Sequence, residues 1–134
     1  MKIYIDGSGD GKYGFFIEET NEAKVFTKSN ITNNQAEYLA VLEALKFTAG
    51  DVEIYSDSKL VVNQLNHEWH IKDDSLRNLA VKIWKLIGNR KVSFNWIPRK
   101  QNKAGKLLGW IYTYTGYKLN YYSRKNKYIE LLYM

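Results

Sequence analysis

Apolar and polar positions alternate from the second residue of the chain, and the period changes only after about thirty residues. Ile3 and Ile5 flank Tyr4 and precede Asp6, and two further strand-like runs, 13–19 and 22–28, follow turns rich in glycine or asparagine. Three strands in succession, over 2–6, 13–19 and 22–28, predict an antiparallel meander. Tyr38, Val41, Leu42 and Leu45 then recur at i, i+3, i+4 and i+7, and Thr32 with Gln35 forms the capping-box pattern that starts a helix. Glu37 flanks that stripe in the first turns. Residues 52–57 read as a fourth strand, and a strand reached through a helix normally lies parallel to an earlier one in its sheet. A short helix over Ser58–Asn66 and a longer one from Asp74 follow, the latter with Leu76, Leu79, Ala80, Ile83, Leu86 and Ile87 on one face. Val92, Phe94 and Trp96 alternate with Ser93 and Asn95 as a fifth strand that Pro98 ends. Residues 101–109 read as helix despite Gly105. The pattern is that of an α/β protein with a five-stranded mixed sheet flanked by helices.

The 134-residue length fits one domain with its own core, and no repeat or low-complexity linker divides it. The one change in composition falls near residue 110. The expected organisation is a domain over 1–109 and an aromatic and basic extension over 110–134, packed on that domain or trailing from it. That extension carries seven of the eleven tyrosines, interleaved with Lys118, Arg124, Lys125 and Lys127. Aromatics among cations can stack on bases and contact phosphates, and they can equally cover a face of the domain.

Charge and the missing cysteines narrow the chemistry. With no cysteine, disulfides, thiolate catalysis and thiolate metal sites are excluded, and only oxygen and histidine ligands remain. A net charge of +6 and a pI near 9.4 favour a polyanionic partner, because surface lysines and arginines displace counterions from phosphates. No segment resembles a leader or a membrane span, so a cytoplasmic monomer with no membrane partner is expected.

Three carboxylates stand where strands and a helix can aim them at one point. Asp6 and Asp57 each close a strand in the pattern Tyr-x-Asp, as Tyr4-Ile5-Asp6 and Tyr55-Ser56-Asp57. Strand alternation sends each Asp to the side of its Tyr, opposite Ile3 and Ile5 in one case and Val52 and Ile54 in the other. Parallel strands would bring both to adjacent carboxyl ends, and Glu37 could join them from the helix. Three such acids are costly to assemble without a positive counterpart, and a divalent cation is the natural one.

The order strand, strand, strand, helix, strand, helix, helix, strand, helix resembles the ribonuclease H-like fold. The matching stretches are YIDGSGDGKYGFFI, TNNQAEYLAVLEAL, IYSDSKLVVNQLN, EWHIKDDSLRNL and WIPRKQNKAGKLLG, which together cover roughly residues 1–109. They are similar to the type 1 ribonucleases H. The resemblance implies hydrolysis of the RNA strand of an RNA/DNA hybrid, with two Mg2+ or Mn2+ ions clamping the attacking and leaving oxygens. It implies Asp6, Glu37 and Asp57 as catalytic metal ligands. It also implies contacts to the hybrid from Gly7, Ser8, Asn33 and Asn34 in the minor groove, from Thr32 at a DNA phosphate, and from Ser58 and Lys59 after the third acid. Lys59 stands where some relatives carry glutamine, which would trade a base-edge hydrogen bond for a phosphate contact.

Two departures bear on activity. The family usually carries a fourth acid in a stretch like Asn-x-x-Ala-Asp-x-Leu-Ala, whereas this chain reads Asn102-Lys103-Ala104-Gly105-Lys106-Leu107-Leu108. Either Gly105 or Lys106 takes the acidic position, and neither binds a cation. Asn102 could offer a neutral carbonyl oxygen as a fourth metal ligand. The usual histidine before the last helix is also missing, since His67 and His70 lie elsewhere, in a loop beside Trp69 and Lys72 that could grip the substrate backbone. The leading expectation is a hybrid-specific endonuclease with reduced activity. The rivals are a non-catalytic hybrid-binding module, and a nuclease acting on double-stranded RNA or branched DNA.

Overall fold

A computed structural model describes residues 1–113, with side chains through residue 108. Two compact units divide the chain, Met1–Ala104 and Gly105–Met134. The first contains a five-stranded sheet. Its strands are β1 (Lys2–Gly7), β2 (Lys12–Ile17), β3 (Ala23–Thr27), β4 (Val52–Ser56) and β5 (Val92–Trp96), in the order β3-β2-β1-β4-β5. β1 to β3 pair antiparallel as the meander requires, while β4 pairs parallel with β1 and with β5. Fold class and sheet composition match expectation.

β2, β3 and β4 end one or two residues before the expected points, whereas β1 runs one residue further, to Gly7. Ile17 receives the Asn21 N–H and itself donates to Glu22, and Asn21 takes a left-handed φ of 61°. That tight turn stops β2 at Ile17.

Three helices complete this unit: α1 (Asn33–Phe47), α2 (Lys59–Leu65) and α3 (Asp74–Ile87). Each begins on a side-chain cap, from Thr32, Ser58 and Asp73 respectively. At Thr32 the capping box is complete, with Gln35 N–H on Thr32 Oγ1 at 3.0 Å and Thr32 N–H on Gln35 Oε1 at 2.8 Å. The same Gln35 donates through Nε2 to Ser75 Oγ, which ties the start of α1 to the start of α3.

Strand alternation sets the two faces of the sheet. Ile3, Ile5, Phe15, Ile17, Val52, Ile54 and Phe94 are buried in one core with Tyr38, Val41 and Leu45 of α1, Leu65 of α2 and Ile83 of α3. The other face carries Phe16, Tyr4 and Tyr55 as neighbours across three strands, their ring centroids 6.4 and 5.5 Å apart. Arg90 closes the far end of the fold, donating to the carbonyls of Leu45 and Gly50 and to Thr48 Oγ1. It thereby satisfies carbonyls that the end of α1 leaves open.

After β5 the chain makes a short 3-10 turn, Arg99–Gln101, and then α4, Lys103–Thr113. The expected helix over 101–109 therefore starts later and runs further. Asn102 is extended and accepts the Ala104 N–H on its own side-chain oxygen, so it caps the helix instead of belonging to it. Residues 114–134, most of the expected extension, lie outside the described residues. Among the described residues, no helix is long and apolar enough to cross a membrane.

Candidate functional site

Parallel pairing of β1 with β4 brings the carboxyl ends of both strands to one edge of the sheet, and Asp6 and Asp57 stand there together. Glu37 reaches them from the second turn of α1. One carboxylate oxygen from each of the three acids lies within 4.8 Å of the others. This close approach depends on Gly7. A Cβ at that position would lie 2.5 Å from the Ala36 carbonyl carbon and 2.5 Å from the Glu37 nitrogen, so any side chain would push β1 and α1 apart.

Burial makes the cluster electrostatically tense. Glu37 is only 4% exposed, and its Oε1 has no hydrogen-bond partner. Loss of water pushes its pKa well above the usual carboxylate range, and the neighbouring charges of Asp6 and Asp57 push it further. The close approach of the two carboxyls raises Glu37 and lowers Asp6 in turn. Asp6 is raised to about 6, chiefly by burial and also by the charge of Asp57. The bond from Glu37, the Gly7 N–H and the Arg99 guanidinium hold it down in part. A buried carboxylate oxygen without a partner, facing two more carboxylates, fits a hard divalent cation held by oxygen ligands.

Asp57 is anchored from two sides that sequence reasoning did not find. Asn102 is fully buried and donates through Nδ2 to Asp57 Oδ2 at 3.2 Å and to the Ile5 carbonyl at 2.9 Å. Its amide therefore turns a donor toward the acids, while its carbonyl oxygen is taken up by Ala104. In this arrangement Asn102 links Asp57 to the Ile5 carbonyl. The second anchor is Trp96, whose indole N–H donates to the Asp57 main-chain carbonyl at 3.1 Å. An asparagine preceding a helical run was the available signal for the first anchor. Nothing in the sequence marked the second.

The expected substrate-contacting residues lie around this edge. Gly7 ends β1, and Ser8 follows it in a turn where its hydroxyl donates to Asp10 and to the Lys12 carbonyl. Thr32, Asn33 and Asn34 open α1, with Thr32 and Asn33 exposed. Ser58 caps α2, and the exposed Lys59 begins it. His67 and His70 stand apart from the acids in the α2–α3 loop, where the His67 ring stacks on Trp84 with centroids 4.4 Å apart.

A family model described as reverse transcriptase-like matches residues 6–108, a span that includes all three acids and the sheet. A ribonuclease H of Orientia tsutsugamushi is 30% identical over 126 residues, covering 78% of this chain and 74% of that protein. A bifunctional protein of Mycobacterium tuberculosis is 29% identical over 119 residues, 76% of this chain but 33% of its own length, so the chain spans about a third of that relative. Among solved structures, LC11-RNase H1 in complex with an RNA/DNA hybrid superposes with a TM-score of 0.70 at 27% identity, covering 80% of this chain and 91% of that one. With sheet order, helix placement and the three converging acids already in agreement, the chain belongs to the type 1 ribonuclease H family.

Proposed function

We propose that this protein is a metal-dependent endonuclease that hydrolyses the RNA strand of RNA/DNA hybrids. The observation that carries the proposal is the meeting of Asp6, Glu37 and Asp57 at one edge of the sheet, with Glu37 Oε1 buried and unpartnered. The solved neighbour bound to a hybrid and the chain's net charge of +6 support the same substrate class.

Asp6, Glu37 and Asp57 would hold two divalent cations, Mg2+ or Mn2+. Bound there, the ions supply Lewis-acid stabilisation of the charge that develops on the attacking and leaving oxygens of the phosphodiester. The chain's own contribution is placement and proton control. Asp6 and Glu37, whose pKa values burial raises, would have to be ionised to hold the cations. Asn102 and Trp96 hold Asp57 by its carboxylate and its main chain. Gly7, Ser8, Thr32, Asn33, Asn34, Ser58 and Lys59 surround the acids as contacts for the hybrid, whose 2′-hydroxyls distinguish its RNA strand.

The test is cleavage of an end-labelled RNA/DNA hybrid in Mg2+ and, separately, in Mn2+, with Asp6→Asn and Asp57→Asn as blanks. Cleavage by the native chain that falls roughly a hundredfold or more in both variants is expected. A second reading, a non-catalytic hybrid-binding module, is favoured by one observation: Gly105 and Lys106 occupy the positions where a fourth acid would stand. Hybrid bound but uncut in both metals would establish that reading instead. Equal cleavage of double-stranded RNA or branched DNA would move the substrate assignment.

A further inference from the structure

Trp96 is the last residue of β5, and it is 45% exposed at the edge of the sheet that carries the acids. A single exposed aromatic is ordinary. This one is tethered on both sides. Its indole N–H holds the Asp57 carbonyl at 3.1 Å, and the Lys59 ammonium lies over its ring, 4.9 Å from the centroid. Lys59 is itself exposed and makes no ion pair among those found in the described residues. A lysine carries a long, flexible stem and loses much rotamer freedom when fixed. Resting it on an indole holds that charge in one place before any ligand arrives, and leaves donors on the side away from the ring for a ligand.

We propose that Trp96 and Lys59 act as one unit that receives a sugar–phosphate group of the strand crossing the acids. Lys59 takes the phosphate and the exposed part of the indole takes the sugar face. The chemistry suits a nucleic-acid backbone better than a base, because the ammonium is a point charge without the planar fork that reads base edges. Trp96 has a second part in the unit: through its N–H it positions Asp57, so substrate grip and placement of one acid run through the same side chain. The inference rests on the nuclease reading for its substrate, but its binding arm does not require cleavage.

The experiment compares Lys59→Met, Trp96→Leu and Trp96→Phe in the full chain. Steady-state kinetics on the hybrid give KM and kcat, and equilibrium binding of the hybrid to the Asp6→Asn background is followed across salt concentrations. Lys59→Met should lower the slope of log affinity against log salt by about one, the loss of one phosphate contact. Trp96→Leu should lower that slope in the same way and raise KM about fivefold. Trp96→Phe keeps a ring for Lys59 and loses only the N–H, so KM should hold while kcat falls about threefold to tenfold. The two roles thus separate as KM against kcat, which a merely structural tryptophan would not produce. An unchanged salt slope in Lys59→Met, a surface change that leaves the fold alone, overturns the proposal. So does a Trp96→Phe variant that loses kcat and KM together with Lys59→Met silent. Failure of the native chain to cleave would instead sink the nuclease reading, and the binding arm would still decide this one.

Discussion

Replacing Asp6 with asparagine should stabilise the metal-free protein at neutral and alkaline pH. Asp6 is raised from 3.8 to about 6 and Glu37 is raised further, so the folded state holds protons that the unfolded chain has already released. Between those values the native state binds more protons than the unfolded state, and stability falls as pH rises. The Asp6 shift of about two units corresponds to about 3 kcal/mol, reduced to about 2 kcal/mol because the side chain keeps some contact with water. For a unit of this size that is roughly 10 °C in Tm. Asp73 and Glu19 shift the other way, downward, through hydrogen bonds to their carboxylates, and their contribution is complete by about pH 5. The window from pH 5 to pH 8 therefore lies above those two contributions and spans the titration of Asp6. Thermal melts in chelator should show Tm falling across that window for the native chain, and staying flatter and higher at pH 8 for Asp6→Asn. Saturating Mg2+ should restore the native chain by replacing the proton with a cation bound to the folded state alone. A native Tm that rises from pH 5 to pH 8 in chelator, or an Asp6→Asn variant no more stable than native at pH 8, would refute the reasoning.

Gly7→Ala places a methyl 2.5 Å from the backbone of Ala36 and Glu37 and should cost about 1–3 kcal/mol, read as a lower Tm, with cleavage falling because Glu37 moves away from the two aspartates. Asn102→Ala leaves the Ile5 carbonyl and the Ala104 N–H without their partner and frees Asp57. Denaturant unfolding should show a loss of roughly 1–3 kcal/mol, and a Mg2+ titration of activity should shift to higher concentration. Restoring an acid as Lys106→Asp or Gly105→Asp should raise Mg2+ affinity or turnover at whichever position meets the cations. No gain from either would mean that the site works with three acids.

The sheet was legible because its signals are local. Alternation fixed which residues of β1 and β4 are buried, and the helix between them dictated parallel pairing, which alone brings Asp6 beside Asp57. The capping box at Thr32 and Gln35 placed the start of α1 to the residue. Glu37 was legible as an acid at the right height on α1, but its depth was not, since it sits beside the apolar stripe and is buried by the close approach that Gly7 permits. What escaped were side chains whose partners are distant in sequence. Asn102 bonds to Ile5, 97 positions away, and Trp96 to Asp57, 39 positions away. No periodicity reports such pairs. For the same reason Asn102 read as a carbonyl donor to a metal, when its oxygen is engaged by the α4 backbone and its amide faces the acid.

That reversal changes how the missing fourth acid must be understood. With Asn102 turned donor-first toward Asp57, the carboxylates that the described residues gather at this edge are Asp6, Glu37 and Asp57, and on the proposed reading these three would meet the cations. Two divalent ions bring four positive charges, while three carboxylates and the phosphodiester being cut supply four negative ones. That match exists only when Asp6 and Glu37 have both lost their proton. Burial and the charge of Asp57 raise the pKa of both, which favours keeping protons there. On the proposed metal-dependent reading, a cation would compete with protons at this pair, and apparent metal affinity should rise with pH until the pair is ionised. A fourth carboxylate would add negative charge and ease cation entry, but it would also press on the proton of the pair. Without one, filling of the proposed site should depend on pH, and its charge match should be complete only with the substrate phosphate in place.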